Sequence, residues 1–220
     1  MRRILAIDTA GDIGSLALME DGELREEVVL KSDDGFAHFL FSQIEVLLKR
    51  HDWSLGSIDC FAAAAGPGSF TGVRVGLTAA KGFAETLGKP AAGFSNLAAI
   101  ASFGSASLRA PVFDARRGEV YGAVYDLRGR LVQPECVTPF REWLARLPEE
   151  VEILSPQAEL FQPMLAGTRF AHHLITPTPR ALAAAIGRMA ATLDLSRADP
   201  LILDANYVRR SDAEMFWKDA

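Results

Sequence analysis

Cysteine is scarce in this chain, and histidine, tyrosine and tryptophan are nearly so. Two cysteines, Cys60 and Cys136, stand far apart among 220 residues with no C-x-x-C spacing. That excludes a disulfide framework and a cysteine-built metal centre, and it suits inert thiols in a reduced, cytoplasmic protein. The four histidines, His38, His51, His172 and His173, form neither H-x-x-x-H nor H-E-x-x-H, so helical zinc-site patterns are missing. His172 and His173, read as part of a strand, would point to opposite faces. Long apolar runs are missing too, since glycine, charge or proline interrupts each well short of the roughly 20 residues of a membrane span. Asp8 and Asp12 break the opening segment, which reads as a strand and not as a secretory signal. Positive charge is in deficit: 23 Lys and Arg against 28 Asp and Glu give a net charge of −5. A broad nucleic-acid surface needs clustered Lys and Arg, and local basic pairs such as Arg2-Arg3, Arg116-Arg117 and Arg209-Arg210 are each too small to count as a patch. A G-x-S-x-G elbow is absent as well.

What the chain does have is a glycine-rich passage of unusual spacing. The apolar run Ile58–Ala65 stops at Gly66-Pro67-Gly68-Ser69-Phe70-Thr71-Gly72, and a helical pattern begins at once. Gly72, Gly76, Ala80 and Ala84 then recur every fourth residue, which puts them on one helix face with almost no side-chain bulk. Glycine inside a helix costs up to about 1 kcal/mol relative to alanine, so two on one face imply that another backbone comes close. Glycines between strand and helix also suit a phosphate at the helix N-terminus. The spacing G-x-G-x-x-x-G, however, is longer than the dinucleotide fingerprint, no Gly-Lys-Ser/Thr follows, and Pro67 removes a donor. A tight strand-to-helix turn capped by Ser69 or Thr71 is the simpler reading.

Periodicity predicts strands at Ile4–Ile7, Gly14–Met19 and Leu24–Leu30, with Glu20-Asp21-Gly22 as a hairpin turn. It predicts helices over Phe36–Arg50 and Gly72–Leu87, a strand at Pro90–Phe94 and a short helix at Asn96–Phe103. A pattern then returns. Pro111-Val112-Phe113-Asp114 echoes Leu5-Ala6-Ile7-Asp8, and the distance from aspartate to turn glycine is 14 residues in the first copy (Gly22) and 15 in the second (Gly129). Two similar three-strand openings imply duplicated α/β subdomains, here drawn as residues 1–105 and 106–220, the C-terminal tail being a candidate to pack back on the first. The second half carries helical patterns at Phe140–Arg146, Leu160–Leu165 and Pro179–Leu193, and strand patterns at Val151–Leu154 and His173–Ile175. Asp8 and Asp114, at strand ends, could each touch a ligand or simply bond the turn that follows.

The segments Ile4-Leu5-Ala6-Ile7-Asp8-Thr9, Gly66–Gly76, Lys81-Gly82, Asp114–Tyr121 and Tyr207-Val208-Arg209-Arg210 resemble the TsaB (YeaZ) family, from first strand to C-terminus. The resemblance implies an actin-like fold of the Hsp70 and sugar-kinase superfamily, with two ribonuclease-H-like subdomains, which agrees with the duplicated α/β subdomains of the repeat. It implies a non-catalytic subunit required for threonylcarbamoyladenosine formation beside the anticodon of tRNA. Its partners would be TsaD, as a heterodimer, and TsaE, with tRNA met only through the complex; whether the isolated chain is a monomer or a homodimer stays open. It implies no intrinsic cofactor or metal, with ATP or ADP as a candidate ligand in the complex with TsaD; whether nucleotide would bind this chain or only the heterodimer interface stays open, and Asp8, Thr9, Gly66, Gly68 and Ser69 are the contact candidates. The metal motif of TsaD, His-x-x-x-His, corresponds here to Asn96-Leu97-Ala98-Ala99-Ile100, without either histidine. The family dimerises through its two N-terminal helices, which makes Phe36, Leu40, Ile44, Gly72, Val73, Gly76, Ala80 and Phe83 the expected partner face.

Two other functions compete. An autonomous ATP-dependent enzyme of the actin-like superfamily needs two acidic loops, for which Asp8 and Asp114 are the candidates. An M22-type metallopeptidase needs the ligands that positions 96 and 100 lack.

Overall fold

The computed structural model describes residues 1–209; Arg210 of the last basic pair lies outside them. In chain order the elements are β1 (Arg3–Asp8), β2 (Ile13–Glu20), β3 (Glu23–Lys31), α1 (Leu40–Arg50), β4 (Cys60–Gly66), α2 (Phe70–Leu87), β5 (Ala91–Ser95) and α3 (Asn96–Ala101). They continue with β6 (Leu108–Asp114), β7 (Glu119–Asp126), β8 (Leu131–Pro139), α4 (Phe140–Arg146), β9 (Glu152–Ser155), α5 (Ala158–Phe161), β10 (Thr176–Pro177) and α6 (Ala183–Ala191). Contacts divide the described residues into two units, Met1–Asn96 with Arg180–Asn206, and Leu97–Pro179 with Tyr207, Val208 and Arg209. Relative to a single cut after residue 105, Leu97–Ser105 and the whole α6 segment change sides.

Each unit is built on one five-stranded sheet, and the two sheets have the same order. The first runs β3-β2-β1-β4-β5 and the second β8-β7-β6-β9-β10. In both, the first three strands form an antiparallel meander, and the fourth and fifth add in parallel. The first hairpin closes through Asp21 at φ 53° and Gly22 at φ 87°, the left-handed pair that matches the strand twist.

The first sheet is covered on both faces, which is why β1 and β4 read as unbroken apolar runs. Ile7 and Thr9 meet α2: a β-carbon on Gly76 would lie 2.7 Å from Thr9 Oγ1 and 3.4 Å from Ile7 Cγ2. Ala6 and Met19 meet α6 on the other face, where a β-carbon on Gly187 would lie 2.6 Å from Met19 Cγ. Ser69 caps α2, its Oγ accepting from Gly72 N at 3.3 Å, and left-handed Gly88 ends the helix.

Helix α6 comes from far along the chain and is held at both ends by early residues. At its start, Leu182 N and Ala183 N donate to Ser15 Oγ at 3.1 and 2.9 Å, and Ala184 N donates to Glu27 Oε1 at 2.8 Å. At its end, the Arg2 guanidinium donates to the carbonyls of Ala191, Ala190 and Leu193 at 3.0, 3.0 and 2.9 Å. These bonds satisfy the backbone groups that helix ends leave over, and the signs of charge suit the helix dipole.

The second unit packs α4 on its sheet through Phe140, Trp143 and Leu144, joined by Val112, Val120, Val124 and Phe161. Gly122 makes room for the Trp143 indole, which would lie 2.3 Å from a β-carbon there.

Two predicted elements shift. The helix expected from Phe36 starts at Leu40, because the Phe36 ring turns inward against Gly14, where a β-carbon would be 3.0 Å away, and residues 36–39 form a turn. The strand expected at His173–Ile175 is loop, and β10 is the dipeptide that follows. Gln162 ties that loop down, its Nε2 donating to His173 O and its Oε1 accepting from Ile175 N.

Candidate functional site

In open α/β sheets ligands gather beyond the carboxyl ends of parallel strands. In the first unit those ends bring together Asp8 from β1, Gly66 from β4 and Asn96, which follows β5. Asp8 is 1% exposed. Its Oδ1 accepts from Ala10 N at 3.0 Å and from Asn96 Nδ2 at 3.3 Å, while Asn96 Oδ1 accepts from Gly66 N at 3.0 Å. Asn96 is thus a neutral strut between the aspartate and the glycine turn. Burial pushes the Asp8 carboxyl up to about 6, the two hydrogen bonds pull it back, and the nearby Glu27 adds to the rise. Burial also raises Glu27, against the pull of the Ala184 amide and Arg188.

Asp8, Thr9, Gly66, Gly68 and Ser69, the expected nucleotide contacts, do lie together, but the turn packs on its own first strand. Ser69 N donates to Ala10 O at 2.7 Å, and Thr9 Oγ1 donates to Gly72 O at 2.7 Å. A β-carbon on Gly68 would stand 2.5 Å from Ala10 O, and one on Gly72 would stand 2.1 Å from Thr9 O. Gly66, at φ 96°, adopts a backbone conformation that other residues rarely take. The glycines here admit a neighbouring backbone, and these donors are already used inside the turn. The tight-turn reading describes the geometry.

The same distances correct the expected partner face. Gly72 and Gly76 lie on Ile7 and Thr9, at the end of this chain's own first strand, and Phe36, Leu40, Ile44, Val73 and Ala80 are buried in the first unit. Of the residues expected there, Gly72 and Phe83 alone are half-buried. The outward apolar side chains are others: Phe41 at 58% exposed, Val46 at 49% and Phe70 at 43%. The Phe41 ring meets Phe83 edge-on at 5.6 Å, and the Arg74 guanidinium lies 3.7 Å from the centre of the Phe70 ring.

In the second unit Asp114 occupies the position of Asp8 and makes the same turn. Its Oδ1 accepts from Arg116 N at 2.8 Å, and its own N donates to Gln157 Oε1 at 2.8 Å. It is half-buried, and the turn beyond it is exposed. The histidines do not gather: His51 pairs with Glu26 at 2.8 Å, His38 stacks edge-on against Phe39 and His173 against Phe170. Among the described residues no three of His, Cys, Asp and Glu could hold a metal ion, and no helix is long and apolar enough to cross a membrane. Burial raises both thiols, Cys60 to about 11.

Sequence reasoning missed the joint between Ser15, Glu27 and α6. One signal was present: Ser15 is a lone hydroxyl inside an otherwise apolar strand, and such a group needs a partner.

A family model described as TsaD: tRNA N6-adenosine threonylcarbamoyltransferase matches residues 34–194. The tRNA threonylcarbamoyladenosine biosynthesis protein TsaB of Bacillus subtilis (strain 168) is 29% identical over 231 residues, spanning 97% of each chain. The TsaB of Escherichia coli (strain K12) is 38% identical over 128 residues, covering 56% of this chain and 54% of that one. The chain belongs to this family, on its TsaB/YeaZ branch. YeaZ from Pseudomonas aeruginosa superposes with a TM-score of 0.68 at 26% identity, covering 94% of this chain and all (100%) of that one. The ethanolamine utilization protein EutJ from Carboxydothermus hydrogenoformans shares the fold alone, with a TM-score of 0.53 at 11% identity over 87% of this chain and 90% of that one. The twin five-stranded sheets are those of an actin-like α/β fold.

Proposed function

We propose that this chain is the non-catalytic subunit of a tRNA threonylcarbamoyladenosine synthesis complex, working by binding and supporting a catalytic TsaD subunit in the cytoplasm. Membership of the TsaB/YeaZ branch supports the pathway. The observation that carries the non-catalytic role is Asn96: it stands at the first ligand position of the resembling metal motif, and its amide is committed to Asp8 and Gly66. Ile100, at the second position, is a core residue 1% exposed. Nucleotide, on this reading, belongs to the assembly with TsaD, and TsaE and tRNA join there.

The partner face still lies on α1 and α2, but on their outer sides: Phe41, Val46, Phe70 and the edge of Phe83. Copurification with TsaD, followed by modification of tRNA with ATP, TsaE and a supply of threonylcarbamoyl-adenylate, tests the whole reading. The chain alone should give no turnover, and turnover by the chain alone would refute it. Phe41→Asp should weaken TsaD binding at least tenfold, about 1.4 kcal/mol, while unfolding of the isolated chain shifts little, as for exposed sites generally. Unchanged TsaD binding would remove α1 from the interface.

A further inference from the structure

The turn from β6 to β7 holds three successive exposed residues in the left-handed region. Arg116, Arg117 and Gly118 follow one another at φ 64°, 57° and 77°. Glycine takes that conformation freely, whereas an L-residue with a long side chain pays for it. The turn is fixed from beneath, with Asp114 Oδ1 accepting from Arg116 N, Ala115 N donating to Glu119 O at 2.9 Å, and Glu119 N donating to Arg116 O at 3.1 Å. Arg209 arrives from far along the chain, donates to Ala115 O at 2.8 Å and pairs with the Glu119 carboxylate. It also lies 5.8 Å from the centre of the Tyr121 ring. Arg209 therefore neutralises the turn's own acidic side chain, and Arg116 and Arg117 are exposed. In a chain of net charge −5, this turn presents two adjacent cationic side chains on a backbone fixed by hydrogen bonds. Strain kept at an exposed position points to use, because a glycine would relieve it.

We propose that Arg116 and Arg117 form a contact for the phosphate backbone of tRNA in the assembled complex. This rests on the tRNA-modification reading above and names the surface by which that assembly meets its substrate. Arginine presents several N–H donors to phosphate oxygens, and two such contacts add to affinity without reading sequence. Two contacts are also too few for the isolated chain to hold tRNA at physiological salt, which agrees with its acidic balance.

The test replaces both residues, Arg116→Gly with Arg117→Gly, and measures tRNA binding by the assembled complex across salt concentrations. Glycine suits the backbone, so the isolated variant should unfold at the same or a higher temperature and should assemble with TsaD as before. Loss of two phosphate contacts should lower the slope of log K against log salt by about 1.4–1.8 and weaken binding about twentyfold near 0.15 M salt. The conservative pair Arg116→Lys with Arg117→Lys should recover most of the slope. An unchanged slope in a complex that assembles normally overturns the proposal. So does weakened ATP binding with tRNA affinity intact, which would assign the turn to a nucleotide. A wild-type chain that fails to assemble with TsaD would instead overturn the functional reading, and this contact with it.

Discussion

Asp8 and Asp114 occupy the same place in two copies of one design, yet one is enclosed and the other leads into solvent. Each ends the central strand of a five-stranded sheet of the same order, and each accepts a backbone amide two residues on. Around Asp8 the copy is filled in. Between β4 and β5 runs an 18-residue helix notched by glycine, and α6 closes the opposite face. Around Asp114 the corresponding connection shrinks to the four-residue α5 and a short 3-10 turn, and the neighbouring turn presents arginines. Duplication kept the strand order and the aspartate turn, while the connection after the fourth strand diverged. One copy is enclosed around its aspartate, and the other leaves the turn after its aspartate exposed.

The sharpest way to break this comparison is to add a methyl group. Gly72→Ala would put a β-carbon 2.1 Å from the carbonyl oxygen of Thr9, backbone that cannot step aside, whereas at Gly122 the obstacle is the Trp143 side chain at 2.3 Å. Overpacking of this kind costs about 1–3 kcal/mol and sometimes more. Urea unfolding should place Gly72→Ala at or above the top of that range and Gly122→Ala lower. Gly82→Ala, with nothing within 4 Å of a β-carbon, should not be destabilised at all. Equal losses at Gly72 and Gly82 would mean that α2 does not ride on β1.

The second difference is electrostatic. The folded Asp8 carboxyl titrates near 6 against an ordinary value of 3.8, so the native state holds this proton more tightly than the unfolded chain does. Stability from this group therefore falls as pH rises from about 4 to about 6, by an amount on the order of 3 kcal/mol, and Glu27 pulls in the same direction. Asp8→Asn keeps the acceptor for Ala10 and Asn96, and should stabilise the protein at pH 7.5 while flattening the profile between pH 4 and 6. Loss of stability at pH 7.5 would show that the charge is compensated in the fold.

The smallest expected contrast is between two arginines that close helix ends. Arg2 grips the end of α6 from a half-buried position, and Arg169, which is exposed, donates to the carbonyl of Leu147 beyond the end of α4. Hydrogen bonds to a charged group contribute about 1.5–3 kcal/mol where they are sheltered. Arg2→Met should cost about 2 kcal/mol by urea unfolding and Arg169→Met about half of that. A reversed order would mean that α6 is held by its apolar face, through Gly187, and not by its ends.

Much of this molecule was legible in its residues. Alternation, turn glycines and apolar runs placed most strands to within a residue or two, because those signals are local. The echo of Asp8 in Asp114 announced the duplication. The strip that begins at Gly72 and Gly76 signals a close neighbour, and that neighbour is this chain's own first strand, not a partner. Helical spacing says only that a face is free of bulk and carries no address for whatever approaches it. The same limit hid the joint of Ser15 and Glu27 with α6, whose members stand over 150 residues apart.

By itself, then, the sequence determined periodicity, turn chemistry and the repeat, since each depends on neighbours within a few residues. It also determined that no H-x-x-x-H or C-x-x-C spacing is present, since spacing is a property of chain order alone. Tertiary structure alone decided which strand fills each glycine notch, and that the 180–206 segment completes the first unit. It alone put Arg209 beside Glu119, because such pairings depend on distance in space between residues that the order of the chain keeps far apart.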